Sequence, residues 1–105
     1  MLSQGNVSIG PQGMKLIAFG AFDNSGSWFL NGCTMSGTSG LRTFTFSVAR
    51  SSTKYLVITM VDTKDMACSV TGKTTAKFDL QSYNARTDTN SGAMFSTHFE
   101  VWESP

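Results

Sequence analysis

Charged residues are scarce in this chain of 105 residues, at 14% against roughly 25% in an average soluble domain. The formal net charge is +1, and eight lysines and arginines are scattered among seven acids. A nucleic-acid-binding surface needs a concentrated basic stripe to contact phosphates, so the sequence argues against a nucleic-acid partner. Polarity comes from hydroxyl groups instead, since 14 Ser and 13 Thr stand among the 105 residues.

Histidine, cysteine and long apolar runs are also scarce. The single histidine, His98, and the two cysteines, Cys33 and Cys68, are too few and too scattered to predict a metal site, and nothing else predicts a cofactor. In a reducing compartment both thiols would stay free, although the sequence leaves their pairing open. No apolar run is long enough to cross a membrane, and the N-terminus lacks the basic and apolar regions of a signal peptide. We therefore expect synthesis in a cytoplasm, without membrane insertion.

Runs of strand length separated by turn residues predict an all-β fold. The seven runs are residues 15–22, 27–35, 41–49, 54–62, 66–72, 75–83 and 93–102. A two-residue period prevails in them, and no window keeps the spacing of an amphipathic helix. The sequence predicts a small antiparallel β-sandwich, jelly-roll-like, with about seven to eight strands and little or no helix. Residues 14–105 would form this domain, and the glycine-rich residues 1–13 would be an extended N-terminal segment.

Two of the predicted strands, 15–22 and 54–62, are apolar on both faces. In 54–62 every second residue from Leu56 to Met60 is apolar on the face opposite Tyr55. A strand in a small sandwich has only one core to face, and no helix is available as a second cover. A subunit interface is therefore the favoured explanation. The candidate interface residues are Ile17, Phe19, Leu56, Ile58 and Met60.

The search for a catalytic constellation finds little. Ser96, His98 and Glu100 fall on one face of the last strand, but a triad needs groups that converge from separate elements. Most acids fall in turns, where Asp bonds its own backbone, and no pair is arranged as in a glycosidase. The sequence therefore predicts a protein that is not an enzyme. A hydrolase acting on host polysaccharide is the weakest alternative.

Polar aromatic residues and one long loop are the better candidates for ligand binding. Aromatic rings such as Trp28 can stack on sugar faces, although they more often pack in cores or subunit contacts. The loop 84–92 carries hydrogen-bonding groups suited to polyols, with a solvated hairpin loop as the plain alternative. The candidate ligand-binding residues are Tyr83, Arg86, Asp88, Asn90 and Trp102.

Five segments together resemble a known family. They are AFDNSG (21–26), GLRTFTFSV (40–48), STKYLVITM (52–60), GKTTAKFDLQSYNA (72–85) and MFSTHFEVWES (94–104). Their order resembles the distal β-sandwich domains of bacteriophage tail fibres and related virion adhesion proteins, over about residues 14–103. The resemblance rests on turns and strands, so no functional position carries over residue by residue.

This resemblance implies a virion protein of the tail-fibre or tip kind. Such domains are usually homotrimers that present loops to a saccharide on the host surface, and residues 1–13 would attach this chain to other virion proteins. The alternative is a structural protein of the particle, a decoration, cement or baseplate subunit without receptor binding. The two differ in whether the loop 84–92 faces outward beside exposed aromatic rings or is buried against another protein.

Overall fold

The computed structural model describes residues 2–4, 7–9 and 13–104, and most of these residues lie in strands. The described residues contain no helix, which confirms the predicted all-β class. The strands are β1 (Leu2–Gln4), β2 (Val7–Ile9), β3 (Lys15–Asp23), β4 (Gly26–Asn31), β5 (Cys33–Ser36), β6 (Leu41–Phe46), β7 (Tyr55–Val61), β8 (Met66–Lys73), β9 (Lys77–Asn84), β10 (Thr89–Asn90) and β11 (Thr97–Glu103).

The eight longer strands form two antiparallel four-stranded layers. Sheet A has the order β4-β3-β11-β7, and sheet B has the order β5-β6-β9-β8. This arrangement confirms the predicted small sandwich. The short β1–β2 hairpin continues sheet A, because Ile9 pairs with Lys15 at the start of β3. Residues 1, 5, 6 and 10–12 of the predicted N-terminal segment lie outside the described residues, and its role in attachment stays a prediction.

The predicted single strand 27–35 is wrong, because Gly32 divides it between the two sheets. β4 ends at Asn31 in sheet A, and β5 begins at Cys33 in sheet B. Gly32 has a φ of +79°, and a Cβ atom there would lie 2.3 Å from the carbonyl oxygen of Ile17. Only glycine accommodates both the left-handed conformation and this close approach. The bend at Gly32 therefore carries the chain from one layer to the other.

Other boundaries differ less from the prediction. The strand predicted over 41–49 ends at Phe46, where it runs out of its ladder partners in sheet B. The loop predicted over 84–92 contains the short strand β10, which pairs with the end of β9. The segment is therefore a hairpin with a turn at residues 85–88, rather than irregular throughout.

An aromatic cluster fills the space between the sheets. Phe44 lies at its centre, with its ring centroid 4.7 Å from that of Phe99, 5.1 Å from that of Phe78 and 5.2 Å from that of Phe22. These four side chains are fully buried, and they come from both sheets. The hydroxyl of Tyr55, buried beside them, donates to the carbonyl oxygens of Thr74 and Lys77. The core therefore holds the two layers in a fixed relation and leaves their outer faces free.

Candidate interaction face

The outer faces of the two sheets have opposite character. On sheet B the outward side chains of β5, β6 and β9 are mostly polar, and the hydroxyl of Thr43 donates to the Asp79 carboxylate across 2.7 Å. Thr34 and Thr45, paired on neighbouring strands of that sheet, are exposed. This face is the usual wet side of an antiparallel sheet. On sheet A the outward side chains are mostly apolar, and they form the candidate site.

The strand register places the outward residues of sheet A in three rows. Residues directly opposite each other in an antiparallel ladder share a face of the sheet. The rows, from β4 or β3 to β7, are Phe29–Ala21–His98–Met60, then Asn31–Phe19–Glu100–Ile58, then Leu16–Trp102–Leu56. We call this surface the apolar face. It has an aliphatic strip along β7, a polar centre on β11 and an aromatic strip on β3 and β4.

Large apolar side chains are exposed on both strips. Met60 is 70% exposed, Leu56 56% and Ile58 52%, and together they make up the β7 strip. On the other strip Phe29 is 49% exposed, and its ring packs edge-on against Phe19 with a centroid distance of 6.3 Å. Single exposed apolar residues are common, but a contiguous patch on one side of a sheet indicates an interaction surface.

The polar centre is a hydrogen-bonded line along β11. His98 Nε2 lies 3.3 Å from one carboxylate oxygen of Glu100, and Trp102 donates its indole N–H to the other oxygen across 3.0 Å. The Trp102 bond, followed by the His98 bond, lowers the pKa of Glu100 below its usual value. Both Glu100 oxygens therefore have partners within the strand. A partner surface can cover this carboxylate at less cost than one without such bonds.

A groove with a volume of about 360 Å³ lies at the end of the apolar face next to the β3–β4 turn. Trp28, Met60 and His98 contribute to its walls. Trp28 is 60% exposed and donates its indole N–H to Asp23 across 2.9 Å, and this bond is the main cause that lowers the pKa of Asp23. The register shifts between β3 and β4 at this point, leaving Trp28 as the extra residue of a bulge. Such bulges re-aim a side chain, which explains how Trp28 joins this surface.

The structure brings together four of the five predicted interface residues. Phe19, Leu56, Ile58 and Met60 all lie on the apolar face. Ile17 does not join them, because it is skipped in the register between β3 and β11 and packs against the core. Ile17 therefore lies apart from the other four residues, and its part in an interface stays a prediction. Its position could not be read from alternation, since a bulge changes which face a residue takes.

The predicted ligand-binding residues do not form one site. Tyr83, Arg86, Asp88 and Asn90 lie on or beside the β9–β10 hairpin of sheet B, whereas Trp102 lies on the apolar face of sheet A. Their grouping with Trp102 is corrected by the fold, because side chains on the outer faces of two packed sheets point away from each other.

The hairpin itself is held by its own side chains. The side-chain oxygen of Asn84 accepts hydrogen bonds from the backbone N–H groups of Arg86 and Thr87. The hydroxyl of Tyr83 donates a hydrogen bond to the Asp88 carboxylate. Arg86, Asp88 and Asn90 are exposed, while Tyr83 is half-buried. The turn therefore presents polar groups to solvent, with Tyr83 as the only aromatic residue among those predicted there.

Cys33 and Cys68 are both free thiols. They lie on β5 and β8, the two outer strands of sheet B, with β6 and β9 between them. Three strand spacings of about 4.8 Å separate such positions, which is too far for a disulfide. Burial raises the pKa of Cys33 to about 11 and also raises that of Cys68.

Among residues 13–104, no group of three His, Cys, Asp or Glu side chains is placed to hold a metal ion. None of the described segments is a helix long and apolar enough to span a membrane.

Phe29 is the large exposed side chain of the apolar face that the sequence does not single out, because the division at Gly32 hides the face it takes. Leu16, Ala21 and Asn31 also lie on this face without having been candidates. Comparisons with other proteins add no further residue. No protein-family model, curated protein or solved structure matches the chain.

Proposed function

We propose that this protein is a non-enzymatic virion subunit of the tail-fibre or tip kind, located in the virion, which assembles with copies of itself through the apolar face. The observation that carries the proposal is the contiguous exposed strip of Leu56, Ile58 and Met60 beside the Phe19–Phe29 strip. The resemblance to virion adhesion domains supplies the setting, including the host-surface saccharide as receptor and residues 1–13 as the contact with other virion proteins.

The layout of the apolar face supports a ring of copies. A closed ring with three members needs two different patches on each chain, one meeting the other on its neighbour. The aliphatic strip on β7 and the aromatic strip on β3 and β4 are two such patches, separated by β11. Glu100 is the acidic residue in the three rows of the apolar face, and its carboxylate is already hydrogen-bonded to Trp102 and His98. These bonds lower the cost of burying the face against a neighbouring copy. A homotrimer is the assembly that fits both the two patches and the resemblance.

A substitution on the β7 strip tests assembly. Ile58→Lys places a cation on the apolar face, and Leu41→Lys is the matched control, since Leu41 is a 44%-exposed apolar strand residue on the outer face of sheet B. We expect wild type and Leu41→Lys to show a mass near three times 11.3 kDa by light scattering, and Ile58→Lys to be a folded monomer. A monomeric wild type, or an Ile58→Lys variant that assembles as wild type does, would overturn the proposal.

One observation favours the structural alternative, a decoration, cement or baseplate subunit without receptor binding. Trp28 and Trp102 lie on or beside the apolar face, so they are not available beside the β9–β10 hairpin to stack on a sugar. Paired substitutions distinguish the two functions. If Arg86→Ala and Asn90→Ala leave binding to host cells unchanged while Ile58→Lys abolishes incorporation into particles, the hairpin is not the receptor site.

A further inference from the structure

Arg42 is a buried cation at one end of the sandwich. It is only 5% exposed, because its side chain lies on the inward face of β6 together with Phe44 and Phe46. The guanidinium donates to the carbonyl oxygen of Ser39 across 2.6 Å and to that of Asn24 across 3.2 Å. These bonds tie the β3–β4 turn of sheet A to the β5–β6 turn of sheet B.

Within the described ranges, no carboxylate lies within salt-bridge distance of Arg42. The salt bridges found in the part of the chain that the structure describes join Arg50 to Glu103 and His98 to Glu100, and neither includes Arg42. Buried charges are normally paired with an opposite charge, because neutral carbonyl groups compensate only part of the lost hydration. A guanidinium has five N–H donors in a planar fork, and two of them suffice for the bonds to Ser39 and Asn24.

Arg42 lines a polar cleft of about 350 Å³ between the two turns. The hydroxyl-bearing residues Ser25, Thr38 and Ser39 line it, together with Gly26, Gly37, Gly92 and the apolar Met35. At Gly26 and Gly92 the space above the Cα atom is open, so a ligand can approach the backbone closely. Hydroxyl and backbone groups around a single cation suit a ligand that carries both hydroxyl groups and one negative charge.

We propose that this cleft binds an acidic saccharide, with the guanidinium of Arg42 receiving its carboxylate and the two turns contacting its hydroxyl groups. The inference rests on the proposed adhesion function, for which it names the receptor chemistry. It also moves the predicted receptor site from the β9–β10 hairpin to the end of the sandwich where the β3–β4 and β5–β6 turns meet.

The test is an NMR titration of the assembled 105-residue chain with sodium glucuronate, with glucose and inorganic phosphate as comparison probes. We expect saturable shifts of the amides of Asn24, Thr38, Ser39 and Gly92, and of Arg42 Nε. Glucose should bind at least about tenfold more weakly, because it lacks the carboxylate. Phosphate binding with equal affinity would overturn saccharide recognition, and shifts that do not saturate would overturn the site.

Two substitutions at Gly92 keep the test independent of the fold. Gly92→Asp places a carboxylate in open space at the cleft, and Gly92→Asn matches its size without its charge. We expect glucuronate to bind Gly92→Asp at least about fivefold more weakly than Gly92→Asn, because like charges repel. Equal affinity for the two variants would overturn the proposal.

Arg42→Gln should abolish saturable binding, and Arg86→Gln, with the same loss of charge on the hairpin, should not. If glucuronate binds Arg42→Gln as well as it binds wild type, the guanidinium does not bind the carboxylate of glucuronate. Light scattering of the same samples reports assembly separately, so a failure of saccharide binding is distinguishable from a failure of assembly.

Discussion

The carboxylate of Glu100 accepts the indole N–H of Trp102 at 3.0 Å, on the exposed side of β11. The bond joins two residues of one strand whose side chains share a face, and it lies between the two apolar strips of sheet A. It gives the apolar face a hydrogen-bonded polar centre. A carboxylate held in this way also makes the face sensitive to acid.

We predict that acid quenches or shifts the fluorescence of Trp102 through the protonation of Glu100. The pKa of Glu100 is lowered chiefly by this bond, so the bond is fully present above about pH 4.5 and is lost as pH falls through the lower folded-state pKa. The measurement uses a Trp28→Phe background, in which Trp102 is the single tryptophan. Glu100→Gln keeps an acceptor oxygen without a titration and should show a flat profile. A transition of the same size in that variant would contradict the prediction.

Gly32→Ala should destabilise the protein by at least about 2 kcal/mol, because alanine is strained at a φ of +79° and its Cβ atom would meet the Ile17 carbonyl oxygen. Gly92→Ala is the matched control, since a Cβ atom there meets nothing within 4 Å. Urea denaturation of both variants gives the free energies of unfolding. Equal values for the two would show that the bend between the sheets does not require glycine.

The sequence predicts the class of the fold and part of the apolar face, and it fails where backbone geometry decides. Alternation alone places Leu56, Ile58 and Met60 on one face, because β7 runs without a bulge. Ile17 and Trp28 lie at register shifts, where alternation no longer gives the face. The bend at Gly32 depends on a close approach to β3, which no local pattern reveals.

The sequence does not single out Arg42, for a different reason. In the sequence it is one of eight scattered cations, although it shares the two-residue period of Phe44 and Phe46. The signal in the sequence is a charged residue at a position whose alternation points inward. Its partners, the carbonyl groups of Ser39 and Asn24, are brought together only by the packing of the two sheets.

Cys33 should react with a thiol reagent only when the protein unfolds. The thiol is 5% exposed, and burial raises its pKa to about 11, so the reactive thiolate is scarce at pH 8. In a Cys68→Ser variant, we expect the native protein to be labelled at Cys33 at least about 100-fold more slowly than the same variant unfolded in urea. Mass spectrometry without reductant should also find no disulfide in wild type. Rapid labelling of the native variant would contradict the placement of β5.

The ion pair of Arg50 and Glu103 should stabilise the native state by about 1 kcal/mol at neutral pH. Arg50 Nε and Nη2 each donate to one Glu103 oxygen across 2.8 Å, and both side chains are about one-fifth exposed, at 21% and 20%. The pair fastens the segment between β6 and β7 to the end of β11. A double-mutant cycle measures the coupling energy of the pair, from the free energies of unfolding in urea of wild type, Arg50→Gln, Glu103→Gln and the double variant.

The same cycle has a predicted pH dependence. The Arg50 bonds lower the pKa of Glu103, so the stabilisation is present above about pH 4.5 and is lost as pH falls through the folded-state value. We expect the coupling energy at about pH 3 to be smaller than at pH 7. The cycle of Arg86→Gln and Asp88→Asn, two exposed hairpin charges without a salt bridge in the described residues, serves as the control. A coupling energy for Arg50 and Glu103 no larger than that of the control at pH 7, or one unchanged by acid, would contradict the assignment.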